Sequence, residues 1–344
     1  MANQETQLLD NLITTSRRKM LTLGVSSLAG LVVGASAPEA KAAGASYTDA
    51  DILNFALNLE YLEANFYYLA AFGTTIDKAN AASTAAGAPL ITLSGTVGTA
   101  GTVSGGSQVP FTTIQVASYA IETAVEEGKH VQLLLSALGS AAVAQPALNL
   151  GTSFQTLAAA AQIPGGASFS PYANDETFLV GAYVFEDVGV TAYHGAASLL
   201  TSASNLTTAA GIMAVEAYHA GLVRTTINYI DPTGANIGAY TNLISTLRAS
   251  LSAAGLLGVA PGPYDSTPDD FGLATFSVTL GGSSTTATRI TDADATNVVA
   301  FARNTTQVLN IVTGGGAVSG TTAVSPAVGV FFPAGLNAGP NGFR

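Results

Sequence analysis

Residues 124–130 read Ala-Val-Glu-Glu-Gly-Lys-His, and residues 213–219 read Met-Ala-Val-Glu-Ala-Tyr-His. Each stretch holds a Glu-x-x-His, formed by Glu127 with His130 and by Glu216 with His219. Both lie within runs of helical apolar periodicity, at about 111–138 and 205–230. The second run stops at Asp231-Pro232, because proline cannot continue a helix. On a helix, positions i and i+3 share a face with Cβ atoms roughly 5–6 Å apart. A carboxylate and an imidazole so placed can grip one ion together.

Two further runs, 48–72 and 174–200, also read as helices, the first with Thr48 or Asp49 as its N-cap. They repeat each other. Aligning Glu60 with Glu186 also aligns Tyr67 with Tyr193, seven residues on in each case, so each Glu shares a face with its Tyr. The first and third helices match, as do the second and fourth. This predicts a mainly α protein, a four-helix bundle made of two helix pairs in pseudo-twofold relation.

The three histidines of the chain are His130, His194 and His219. Two Glu-x-x-His pairs plus one glutamate from each of two other helices is the ligand set of dinuclear carboxylate bundles. Glu60, Glu186 and Glu216 are embedded in apolar stretches, where a carboxylate is costly to bury unless paired or metal-bound. The expected ligands are therefore Glu60, Glu127, His130, Glu186, Glu216 and His219, holding two metal ions. Oxygen and nitrogen donors suit iron, manganese or zinc. Glu63, one turn after Glu60, is an alternative or bridging carboxylate, and the matched Glu186 favours Glu60. Glu126 and Asp187 read either as surface carboxylates or as groups that hydrogen-bond the ligand histidines from behind. His194 reads as a supporting or capping residue. Tyr67 and Tyr193 read either as packing aromatics or as partners of the ligand carboxylates, with redox activity the sharper alternative.

The stretches at 51–67 (DILNFALNLEYLEANFY), 172–197 (YANDETFLVGAYVFEDVGVTAYHGAA) and 212–226 (IMAVEAYHAGLVRTT) resemble the bacterial ferritin-like family related to plant desiccation-related proteins. The segment 301–312 (FARNTTQVLNIV) and the tail stretch FFPAGLN at 331–337 extend the resemblance over most of the chain. It implies a ferritin-like four-helix bundle with a probable dinuclear site, and it leaves the activity open. The insertion at 73–110 departs from compact ferritins and speaks against a hollow shell.

Apolar residues make up 48% of the 344 and charged residues 10%, which supports a sizeable core and argues against general disorder. A net charge of −11 excludes nucleic acid as an expected partner. The absence of cysteine excludes disulfides, thiolate nucleophiles and iron–sulfur clusters. Near the N-terminus, Arg17-Arg18-Lys19 precedes a modest apolar stretch and then Ala40-Lys41-Ala42. This order of features reads as a twin-arginine export signal cleaved after about residue 42, and it predicts a periplasmic or extracellular protein with no stable membrane span after cleavage. The expected domains are thus 1–42 as signal, 43–232 as the bundle, and 233–344 as an extension packing on it.

In the insertion, Ile91-Thr92-Leu93 and Thr96-Val97 predict a small hairpin. A short helix is expected at 154–161, and others at 239–254 and 295–312. A hairpin is expected from 273–280 and 285–290 around Gly281-Gly282, and loop from Gly314 onward. Phe331 and Phe332 are expected to plug a groove between helices. Two functions follow. One is an oxidoreductase, ferroxidase-like or manganese-catalase-like, acting on oxygen or peroxide, with an oligomer compatible with it. The other is a non-enzymatic stress or surface protein that keeps the bundle for its stability.

Overall fold

The computed structural model describes residues 47–254, 269–315 and 329–338. The expected signal at 1–42 lies outside them, as do 316–328 and 339–344 of the expected terminal loop. The chain is mainly helical. Four long segments form the bundle: α1 (Asp49–Phe72), α3 (Ile114–Leu138), the pair α5 (Asp175–Tyr183) and α6 (Glu186–Ala197), and α7 (Ala203–Ile230). Among the described residues no helix is long and apolar enough to cross a membrane. The closest packing joins α1 to α3 and α6 to α7, which are the two halves of the repeat.

Local chemistry sets the helix ends. Thr48 and Asp51 form a reciprocal capping box before α1, and Gly73, at φ 68°, closes it in the left-handed conformation. Asn174 and Thr177 do the same at the start of α5. A second set of caps crosses the molecule. The Asp49 carboxylate accepts from the backbone N–H groups of Thr201 and Ser202, both at 2.9 Å, at the entrance to α7. The Asp175 carboxylate accepts from the N–H groups of Thr112 and Thr113, at 3.1 and 2.8 Å, at the entrance to α3. Asp49 and Asp175 stand 126 positions apart, the same offset as Glu60 to Glu186 and Tyr67 to Tyr193. The internal repeat thus extends to the helix entrances.

The third bundle helix is not continuous over 174–200. It breaks at Val184-Phe185, where hydrogen bonds tighten to three-residue spacing (Phe185 N–H to Ala182 O, 3.0 Å; Val188 N–H to Phe185 O, 2.8 Å). The Arg248 guanidinium donates to the Tyr183 carbonyl at 2.8 Å. A side chain inserted into the ladder is a recognised cause of such a break.

The insertion forms no hairpin of its own. It carries the short helix α2 (Ala81–Ala86), and its strand β1 (Val103–Ser104) pairs in parallel with β2 (Leu148–Asn149) of the other long connection. Val97 bridges Val143 in the same sense. The two connections therefore satisfy each other's backbone groups. Helix α4 (Thr152–Ala160) follows β2.

Beyond the bundle, α8 (Ile237–Ala254) packs on α5, and α9 (Thr305–Thr313) packs on α8 and α6. The helix expected at 295–312 is only this shorter α9. Its true start is fixed by the Asn304–Gln307 capping box. Strands β3 (Thr275–Leu280) and β4 (Ser283–Thr288) form the expected hairpin, and Gly281 and Gly282, at φ 57° and 82°, supply its turn. Phe331 and Phe332 are buried, and the Phe331 ring lies 5.2 Å from those of both Phe154 and Phe185.

Candidate metal centre

The bundle halves bring Glu60 (α1), Glu127 and His130 (α3), Glu186 (α6), and Glu216 and His219 (α7) to one buried point. Donor atoms of Glu60, Glu127, His130 and Glu216 lie within 4.8 Å of one another, and so do those of Glu127, Glu186, Glu216 and His219. His130 Nδ1 is 3.3 Å from Glu60 Oε2, 3.5 Å from Glu127 Oε2 and 3.4 Å from Glu216 Oε1. His219 Nδ1 is 3.1 Å from Glu127 Oε1 and 3.3 Å from Glu186 Oε2. Glu127 turns one oxygen to each histidine, and Glu216 belongs to both groups. Such spacings are the edges of a coordination polyhedron around an ion about 2.0–2.2 Å from each donor.

The satisfaction of polar atoms points the same way. Glu60 Oε2, both oxygens of Glu127 and Glu216, Glu186 Oε2, His130 Nδ1 and His219 Nδ1 are buried with no hydrogen-bond partner. Orphaned buried polar groups are rare and call for an explanation. Here eight such atoms gather on the six converging residues. The second oxygens of Glu60 and Glu186 and the second ring nitrogen of His219 are engaged. Tyr193 O–H donates to Glu60 Oε1 and Tyr67 O–H donates to Glu186 Oε1, both in short hydrogen bonds. Each tyrosine thus serves the glutamate of the opposite half, a crossing that the shared helix face did not reveal. His219 Nε2 pairs with Glu126 Oε2 at 2.7 Å. With that nitrogen as the N–H donor, a neutral ring leaves the Nδ1 lone pair facing the cluster.

Charge crowding perturbs every group. Burial pushes the Glu60 carboxyl up to about 7 despite the pull of His130. Burial and neighbouring carboxylates push Glu216 and Glu63 well above the usual range. Burial also raises Glu186, against the pull of His219. Glu127 is the exception. Its burial is outweighed by His130 and His219, which hold it below the usual range. Both imidazoles are raised, because the facing carboxylates overcome the burial that would disfavour their charge. Glu60, Glu63, Glu127, Glu186 and Glu216 together outnumber two imidazolium charges, so the interior favours added cations.

The remaining expected residues divide. Glu126 stands behind His219 as anticipated. Asp187 does not support a histidine. It pairs with Arg224 at 2.9 Å and Arg248 at 3.0 Å, both buried, because α7 and α8 bring guanidiniums to that side of α6. His194 Nδ1 lies 3.1 Å from the Phe301 carbonyl, away from the cluster. Glu63 is buried beside Glu216 but belongs to neither donor group. Gly189 was not anticipated. A Cβ there would collide with Glu216 Oε2, so α6 can approach α7 this closely only through glycine. Its signal was the repeat itself, since Gly189 is the positional equivalent of Glu63.

Comparison with known proteins gives three findings. The profile of the ferritin-like domain matches residues 48–229. The chain is 33% identical over 220 residues to the desiccation-related protein PCC13-62 of Craterostigma plantagineum, an alignment covering 61% of this chain and 64% of that relative. No solved structure matches.

Proposed function

The chain belongs to the ferritin-like domain family, and from that premise we propose that it is an exported dinuclear metal protein that uses two iron or manganese ions for redox chemistry on oxygen or peroxide. Glu60, Glu127, His130, Glu186, Glu216 and His219 would hold the ions, with Glu127 and Glu216 belonging to both donor groups, and zinc would be the redox-inert alternative. The observation that carries this reading is that buried donor atoms of all six residues, without hydrogen-bond partners, converge within two overlapping groups. A bound pair of such ions supplies electron exchange with oxygen or peroxide.

The chain's own residues do the rest. Tyr67 and Tyr193 fix the outward oxygens of Glu186 and Glu60 so that the inward ones face the centre. Glu126 holds the tautomer of His219. Leu57 and Leu62, both fully buried on α1, belong to the core that keeps bulk water from the bundle interior.

Element analysis of protein purified from its native compartment tests the metal reading. About two equivalents of iron or manganese per chain are expected, with loss of most of both in Glu127→Ala. Metal-replete protein is then assayed for peroxide consumption and ferrous oxidation. The likeness to a desiccation-related protein supports a second reading, in which the bundle serves under water stress without turnover. Full metal content with neither activity would favour that reading and sink the redox one.

A further inference from the structure

Beside the cluster lies a cavity enclosing about 740 Å³ of empty space, its mouth included. Leu62, Leu157, Val184, Leu247, Ile311 and Phe331 form its walls. Glu63 and Gly189 form the end nearest the cluster, where Gly189 touches the Glu216 carboxylate. A second space of about 440 Å³ shares Leu59, Glu63 and Gly189 and continues to Glu60 and Tyr193. The lining that the two spaces share includes a break in the internal repeat, with Glu63 in one half and Gly189 at the matching position of the other.

The lining states what can enter. Its surface is almost wholly apolar. Arg248 is the one cation on the wall among the described residues, and it is held by Asp187, Asp270 and the Tyr183 carbonyl. An anionic headgroup would find no free partner and would bear the cost of burying an unpaired charge. Glu63 makes no hydrogen bond among the described residues and is buried, so it offers one polar contact to an uncharged ligand.

We propose that this cavity binds an uncharged aliphatic molecule, carrying at most one hydroxyl or carbonyl group, against the Glu63–Gly189 end. The proposal stands on the cavity alone and does not require ions at the neighbouring cluster.

The test is calorimetric titration of the full chain, metal-free and metal-replete, with 1-decanol and with decanoate. Saturable binding of about one 1-decanol per chain is expected in both forms, with a negative heat-capacity change from apolar burial. Decanoate should bind at least tenfold more weakly. Leu247→Trp on α8 and Val184→Phe in the break between α5 and α6, both half-buried wall positions, should each weaken 1-decanol at least tenfold while circular dichroism and metal content stay unchanged. Absence of saturable 1-decanol binding to the wild-type chain would overturn the assignment. So would decanoate binding as tight as 1-decanol, or undiminished binding in whichever filled variant folds. Loss of metal content with 1-decanol binding intact would instead strike only the metal reading.

Discussion

The six converging side chains obey one rule: each presents its inward atoms bare and has its outward atoms tied where a partner is at hand. Replacing Tyr193 or Tyr67 by Phe removes the tie on Glu60 or Glu186. Each change should weaken metal binding about 10–100-fold while leaving the helices intact, as outer partners of ligands typically do, and chelator competition measures it. Glu126→Gln should do less than Glu126→Ala, because the amide oxygen still accepts from His219. The raised acids give a pH dependence. In the metal-free protein Glu60 titrates at about 7, and Glu186 and Glu216 are raised as well. Folding therefore takes up protons as pH rises through the window from the ordinary carboxylate range to about 7. Stability from these groups is present at low pH and lost as pH climbs. The raised histidines act in the same direction, whereas the lowered Glu127 opposes it. The melting temperature of metal-free protein should fall between pH 5 and 8, and the gap to metal-loaded protein should widen. A flat or rising melting curve for the metal-free form would refute this. The convergence of the six residues was legible because histidine is scarce and the two helix pairs repeat. The role of Asp187 was not, because its partners Arg224 and Arg248 come from elements whose position no local pattern discloses.

Among the helices, the crossed caps are the feature with a measurable price in stability. Asp49 and Asp175 each satisfy N–H groups of another helix, and both carboxyls are held low, Asp49 by the Thr201 backbone first and Asp175 by Thr112 and Thr113 against partial burial. Asp49→Ala and Asp175→Ala should each destabilise by about 1 kcal/mol, the usual scale of a lost N-cap, read as a shift of the urea midpoint. The two carboxylates share no hydrogen-bond partner, so their effects should add. Because both carboxyls are lowered, their contribution is present above the ordinary Asp range and lost as pH falls below it. The 126-position spacing made the helix pairing readable, and Asp49 and Asp175 obey the same spacing. The break at Val184-Phe185 left no comparable trace. Its apolar pattern runs on unbroken, and the cause is the guanidinium of Arg248, 64 positions from Val184.

Over the whole molecule, the region after the bundle is bound to it by buried ions rather than by apolar contact alone. Arg248 meets Asp187 at 3.0 Å and Asp270 at 2.9 Å, and Arg303 meets Asp270 at 2.9 Å. Arg248→Met strips two buried carboxylates of a partner. It should cost about 3–5 kcal/mol, the scale for breaking a buried pair from one side, and chemical denaturation with an unchanged m-value would check it. The two long connections read as separate loops in sequence, because a parallel pairing between distant segments has no local signature. The far end of the described chain carries the last constraint. Asn337 N–H donates to Asn58 Oδ1 and Asn58 Nδ2–H donates to the Asn337 carbonyl, each at 2.9 Å and across 279 positions. A nascent polypeptide therefore cannot complete the surroundings of Asn58 until residue 337 has been added. A ribosome stalled before Phe331 would leave that asparagine amide open to water, and such a fragment should be cut by proteases at concentrations the complete chain survives.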